Sequence, residues 1–224
     1  MINEPLVKEL LSKIVEKDHE ENLKKTFMER YPECPDDEIP KGINNLIQAL
    51  ALPPEDVQLI ADDIKNTVMK TIIPIIQSLI NGIETDEKIA ENTKIKLNIV
   101  RKILYKLYDL KIANYKRSKD PETQWYTYTW KFEEEELVTI IKTNCEEKIS
   151  KLNEELLKEE NNMFFVCPEG HLRCTFDEAS DEDFFCVCGE ELVFQDNSEI
   201  IKNIKKEIKQ TETELESFLK KVNK

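Results

Sequence analysis

Apolar residues recur every three or four positions along most of this chain, and that spacing predicts helices. Leu6, Leu10, Leu11, Ile14 and Val15 mark an amphipathic helix over 5–25. Pro32, Pro35 and Pro40 then punctuate an acidic loop, and two shorter helical patterns follow over 43–51 and 54–64. Ile75, Ile76, Leu79 and Ile80, with Pro74 at the start and Gly82 past the end, predict a short helix closing at Asn81. Thr85 is placed to cap the next helix, which carries Asp86 and Glu87 in its first turn and runs to about Asn92. A third helix over 97–108 gathers Val100, Ile103, Leu104 and Leu107 on one face. The period then changes from helix to strand. Segments 112–116 and 125–132 read as two strands joined by a turn over 120–123, with Tyr126, Tyr128, Trp130 and Phe132 on one face.

Three helices followed by a two-stranded hairpin is the pattern of a winged helix, a variant of the helix-turn-helix. Further along, Val138, Ile141, Cys145, Ile149, Leu152 and Leu156 form a narrow apolar seam on a long helix. Ile200, Ile204, Ile208, Leu215 and Leu219 form a second one. The two seams flank a stretch rich in cysteine, so the helices are expected to pack antiparallel and present that stretch at their tip.

Four of the six cysteines fall between Cys167 and Cys188. There is no apolar run long enough to span a bilayer and no signal peptide at the N-terminus, so the expected compartment is the reducing cytosol, where metal binding is favoured over disulfides. Zinc takes four thiolate or imidazole ligands in a tetrahedron, usually from two knuckles with two to four residues between members. Cys167, Cys174, Cys186 and Cys188 are the expected set, with His171 as the alternative to Cys174. Cys186 and Cys188 are separated by a single residue, which departs from the usual knuckle. The competing reading is a ribbon-shaped core held by Phe164, Phe165, Phe176, Phe184 and Leu192, in which the cysteines bind nothing. Four protein ligands would close the site, so a metal here is expected to be structural.

The expected fold is therefore mainly α with small β. It comprises a helical N-terminal segment over 1–66, a winged helix-turn-helix domain over 67–136, a linker helix over 137–162, a small zinc-ribbon-like β module over 163–196 and a C-terminal helix over 197–224.

Charge narrows the function. The formal net charge of −14 repels nucleic acid unless basic residues gather on one face. They do gather between 94 and 119, where Lys94, Lys96, Arg101, Lys102, Lys106, Lys111, Lys116, Arg117 and Lys119 oppose Asp109 alone. A solvated helix surface is the plain reading of such a run, and contact with phosphates or an acidic protein patch is the functional one. In the hairpin, alternation sends Tyr126, Tyr128 and Trp130 inward and Trp125 outward, beside Arg117 and Lys119, where an aromatic ring with basic neighbours suits an unpaired base or a protein contact. No glycine-rich phosphate loop, catalytic triad or isolated carboxylate pair occurs, so catalysis has no support.

The runs Thr85-Asp-Glu-Lys-Ile-Ala, 96–108 (KLNIVRKILYKLY) and 115–130 (YKRSKDPETQWYTYTW) resemble the winged helix of archaeal transcription factor E, the relative of the alpha subunit of eukaryotic TFIIE. The stretch 161–168 (NNMFFVCP), Phe176-Asp-Glu-Ala and Cys188-Gly is similar to that family's zinc ribbon, and the resemblance covers about two thirds of the chain. It implies a general initiation factor, not an enzyme, that joins TATA-binding protein, factor B and RNA polymerase. It also implies docking on the polymerase clamp and stalk and help with promoter melting, partly through the non-template strand, and it leaves room for a second subunit of the factor. Carried over to this sequence, the contact residues are Arg101, Lys102, Arg117, Lys119 and Trp125. The departures are the cysteine spacing and some fifty residues, roughly 22–71, that intervene where the family passes directly from its first helix into the winged helix. The rival function is a sequence-specific regulator that reads duplex DNA with the third helix. It would bind a free duplex with a steep salt dependence.

Overall fold

The computed structural model describes residues 1–35, 37–119 and 124–222, so the expected turn over 120–123 lies outside the described residues. The chain divides into two compact units, Met1–Ile141 and Lys142–Lys224.

In the first unit α1 (Pro5–Arg30) is five residues longer than its apolar pattern predicts. It is prolonged because Phe27 near its end is buried with Leu46 and Leu50 of the segment containing α2 (Ile43–Ala49), and Leu23, Cys34, Ile39 and Leu52 pack around them. The intervening residues thus carry a small core of their own. α3 (Pro54–Thr67) does not stop before the next helix: a π-turn (Val68–Ile72) joins it to α4 (Ile73–Ile80). Pro74 cannot donate and its ring crowds the carbonyl four residues back, and the wider turn just before it is where a helix absorbs that misfit.

α5 (Asp86–Thr93) and α6 (Leu97–Asp109) follow, then β1 (Ala113–Lys119) and β2 (Tyr126–Phe132), an antiparallel pair in the register Tyr115↔Trp130, Arg117↔Tyr128, Lys119↔Tyr126. Thr85 precedes α5 as expected, but its hydroxyl makes no cap hydrogen bond. The residue instead bridges to Thr129 of β2, and the Trp130 N–H donates to the Glu84 carbonyl at 2.7 Å, so this stretch lies along the hairpin as an edge. The core beneath is Ile75, Ile76, Leu79, Ile89, Val100, Leu104, Leu107, Ile112 and Trp130, all buried. Trp130 packs edge-on against Tyr105 at 5.4 Å and, tilted, against Tyr115 at 5.0 Å.

α7 (Glu134–Asn161) leads into the second unit, where β3 (Phe164–Val166) lies between β4 (Arg173–Thr175) and β5 (Val193–Gln195), antiparallel to both. Between β4 and β5 lies the short α8 (Phe176–Asp181), whose Thr175 and Glu178 form a reciprocal capping box. α9 (Ser198–Val222) closes the described chain and runs antiparallel to the second half of α7. Lys148 reaches Glu207 at 2.9 Å while Lys205 reaches back to Glu160 at 2.6 Å. Its buried positions Ile204, Thr211 and Phe218 add two members the apolar pattern lacks. Thr211 serves in a seam because its hydroxyl is satisfied by the Glu207 carbonyl at 2.9 Å.

Among the described residues no helix is long and apolar enough to cross a membrane.

Candidate nucleic-acid interface and metal centre

The basic residues of α6 and of the hairpin meet different surroundings. Arg101 donates to the buried carboxylate of Asp86 and, at 2.9 Å, to Glu87. Burial would raise the Asp86 pKa, but hydrogen bonds from Glu87 and Arg101 outweigh it and hold the group low, while Asp86 pushes Glu87 up. Lys102 reaches Asp18 of α1 at 2.9 Å, and Lys106 pairs with the same carboxylate and with the Ile14 carbonyl at 3.3 Å. The Asp18 carboxyl is likewise held low, burial opposing and the two lysines winning. Two of the five expected contact residues, Arg101 and Lys102, are therefore already matched with acid from the same unit.

The far end of the hairpin differs. Along one face the burial falls away step by step, with Trp130 at 2%, Tyr128 half-buried and Tyr126 49% exposed. The expectation that Tyr126 belongs to the core is thus corrected, because the strands continue past the helices that would cover it. Arg117 lies over the Tyr126 ring with 3.5 Å from guanidinium carbon to centroid, and the Lys119 ammonium is 5.9 Å from it. This is a cation–π arrangement, in which the ring's negative face attracts the charge. Trp125 is outward as expected and 77% exposed. The ring under the two cations is that of Tyr126, a functional candidate that alternation alone had assigned to the core. The cross-strand register was the missing signal, since it pairs Lys119 with Tyr126 and Arg117 with Tyr128 on one face.

In the second unit two turns of the same design face each other. The Gly170 N–H donates to the Cys167 carbonyl at 2.9 Å and the Gly189 N–H to the Cys186 carbonyl at 2.8 Å. Both glycines have a positive φ, 78° and 90°, a left-handed geometry that other residues resist. The first turn delivers Cys167 and His171 and the second Cys186 and Cys188, with all four ligating atoms within 4.8 Å of one another. Cys167 Sγ is 3.6 Å from Cys188 Sγ and 3.8 Å from His171 Nδ1. A tetrahedral zinc with bonds of about 2.3 Å to sulfur and about 2.0 Å to nitrogen separates such atoms by roughly 3.5–3.8 Å, so the donors fit the ion. Backbone N–H groups of His171 and Glu169, with the Cys188 and Cys186 thiols, overcome burial and hold the Cys167 thiol at about 7, close to the thiolate a metal needs.

Cys174, in the first expected ligand set, lies apart from this group. Strand alternation on β4 turns it into the core with Ala179 and Leu192, its Sγ approaches the Phe165 carbonyl at 3.8 Å, and burial pushes its pKa up. His171, the expected alternative, stands in the fourth position.

Residues 58–161, which hold α4 to α6, the hairpin and α7, match the family described as the TFIIE alpha subunit. The chain is 61% identical to transcription factor E of Methanobrevibacter smithii over 152 residues, 67% of this chain and 88% of that one. This chain belongs to the transcription factor E family. Members of the same name in Methanosphaera stadtmanae and Methanocaldococcus jannaschii are 50% and 47% identical over 133 and 142 residues. Those alignments span 59% and 62% of this chain and 74% and 82% of theirs. Membership in transcription factor E makes the chain a general transcription initiation factor rather than an enzyme. The small core around Phe27 and Leu46 precedes residue 58 and so lies outside the TFIIE alpha match.

Proposed function

We propose that α4, α5, α6 and the β1–β2 hairpin form a winged helix that brings a basic, aromatic wing to promoter DNA held by RNA polymerase. In this reading the chain joins polymerase, TATA-binding protein and factor B, docks on the clamp and stalk, and assists melting by holding the non-template strand. The observation that carries it is the cation pair, Arg117 and Lys119, over the exposed Tyr126 ring at the end of the hairpin, with Trp125, its neighbour in sequence, 77% exposed. An unpaired base offers a π-face to the rings and its phosphates a charge to the cations, whereas a duplex hides the first. The rival reading, a regulator that inserts α6 into the major groove, is disfavoured because Arg101, Lys102 and Lys106 on that helix are paired with Asp86 and Asp18.

Zinc held by Cys167, His171, Cys186 and Cys188 would cross-link the two turns and neutralise their thiolates, a structural role in a closed site. The protein's own residues then keep the turns shaped, through the two glycines and through the Cys167 and Cys186 N–H groups, which donate to the Leu172 and Glu190 carbonyls at 2.9 Å.

The test of the wing is Trp125→Ala with Lys119→Ala in a reconstituted promoter complex. Permanganate reactivity of the melted thymines should drop severalfold, and unchanged reactivity would reject the role.

A further inference from the structure

The first helix holds its charge against α6 with the help of residues that follow it. Buried side chains anchor α1 from Val7 to Val15 and the next one is Phe27, so the stretch that carries Asp18 has no buried anchor of its own. A helix end without packing frays in water, because most helical stability in proteins comes from an apolar face set against a core. In α1 the far end has such a core, with Phe27 buried against Leu46 and Leu50. Polar ties fasten the turns between. The His19 ring meets the Asp63 carboxylate of α3 at 3.0 Å, the Gly42 N–H donates to Glu20 at 3.1 Å, and Arg30 donates to the Leu50 carbonyl at 3.0 Å. Every one of these partners of α1 lies between residues 42 and 63, in the stretch that separates the first helix from α4.

Asp18 is the residue that this brace positions. It takes Lys102 at 2.9 Å and also pairs with Lys106, whose ammonium donates in addition to the Ile14 carbonyl of the same helix at 3.3 Å. An ion pair in contact with water adds little to stability. Its effect on recognition is larger, because a lysine that neutralises a DNA phosphate releases a counterion, and a lysine already matched by a carboxylate releases none. We infer that residues 27–63 form a brace that holds Asp18 against α6, and that Asp18 is thereby a specificity-determining residue: it withholds Lys102 and Lys106 from the phosphates of intact duplex and leaves nucleic acid to the hairpin. Arg117 and Lys119 lie over Tyr126 on different elements and stay available.

The probe is a labelled promoter duplex without polymerase, titrated with the full chain over a range of salt. Asp18→Asn should raise affinity about tenfold at low salt and steepen the salt slope by up to about two units, one for each lysine released. Leu46→Ser, which opens the small core, should speed amide exchange over 16–30 and give part of the same gain. His19→Ala with Arg30→Ala cuts two of the polar ties and replaces Leu46→Ser if that change disturbs more than the brace. In chains that also carry Lys102→Ala and Lys106→Ala these gains should vanish, which a merely structural role for Asp18 does not produce. Wild-type affinity and slope in Asp18→Asn would overturn the inference. So would a brace variant that frays 16–30 yet leaves duplex binding as it was, because Asp18 would then hold its place unaided. A gain that persists without Lys102 and Lys106 overturns it as well, since the uncovered charge would lie elsewhere. The hairpin is judged separately, on promoter melting, so unchanged permanganate reactivity there leaves the free-duplex result standing.

Discussion

His171 decides whether the cysteine module is a metal centre, because without it only three donors of this cluster converge. Replacing it with alanine should reduce zinc affinity at least tenfold, whereas Cys174→Ser should leave stoichiometry unchanged, since that thiol is committed to the core. Cobalt substitution gives a second readout: charge-transfer intensity appropriate to three thiolates, lost in part with Cys188→Ser and unaffected by Cys174→Ser. A four-thiolate spectrum that needs Cys174 would contradict the assignment. Spacing left this choice open because the two donors lie three residues apart on the same side of the loop, and only the strand that begins at Arg173 turns one of them inward. Tyr126 taught a similar lesson. Alternation gave its face correctly, yet period alone does not say how far along a strand the covering core extends.

Among the elements, the second unit is drawn together by Glu159 near the end of α7. Its carboxylate is almost wholly buried, takes two hydrogen bonds from Arg173 of β4 and a third, at 2.9 Å, from Asn197 just before α9. The Arg173 guanidinium in turn lies 3.7 Å over the Phe164 ring. Removing one partner from a buried charged pair leaves the other without compensation, so Glu159→Ala should cost about 3 kcal/mol in thermal or denaturant unfolding. Arg173 lowers the Glu159 pKa more than burial raises it. Folding therefore gains from this carboxylate above the ordinary glutamate range, and the gain disappears as pH falls through the depressed value. Glu159→Gln should flatten that acid-side loss in melts of the full chain, and an identical pH profile would count against the clasp. None of this was legible beforehand, since Glu159 is one of many acidic residues on a charged helix and its burial arises from folding. The apolar seams, by contrast, predicted α7, α9 and their antiparallel direction, because a narrow stripe must find a partner.

α6 carries a second prediction at this scale. Asp18 matches both Lys102 and Lys106, so Asp18→Asn should release their charge. The salt dependence of any binding of the chain to free duplex should then steepen by about one unit for every phosphate that a freed lysine neutralises. A salt slope that does not move would show that these lysines never faced the nucleic acid. The run of lysine and arginine along α6 was plain in the sequence. Its neutralisation was not, because the carboxylate comes from a helix more than eighty residues away.

For the whole molecule, the proposed function has an acidic chain with a few basic side chains at the end of one hairpin meet nucleic acid only where something else holds it in place. Long-range repulsion from the net charge of −14 opposes a lone encounter with DNA, and in the proposed function protein contacts would bring the hairpin close enough for short-range stacking and pairing. The succession of three helices and a hairpin was readable because each element has its own period and its own stop signals. The small core of Phe27, Leu46 and Leu50 was less so, as its apolar residues are thinly spread among proline and acid. The direct measurement is the affinity of the purified chain for RNA polymerase and, separately, for naked promoter duplex at physiological salt. The expected result is firm binding to polymerase and weak, salt-sensitive binding to the duplex. Tight binding to the duplex by a chain that ignores polymerase would contradict it.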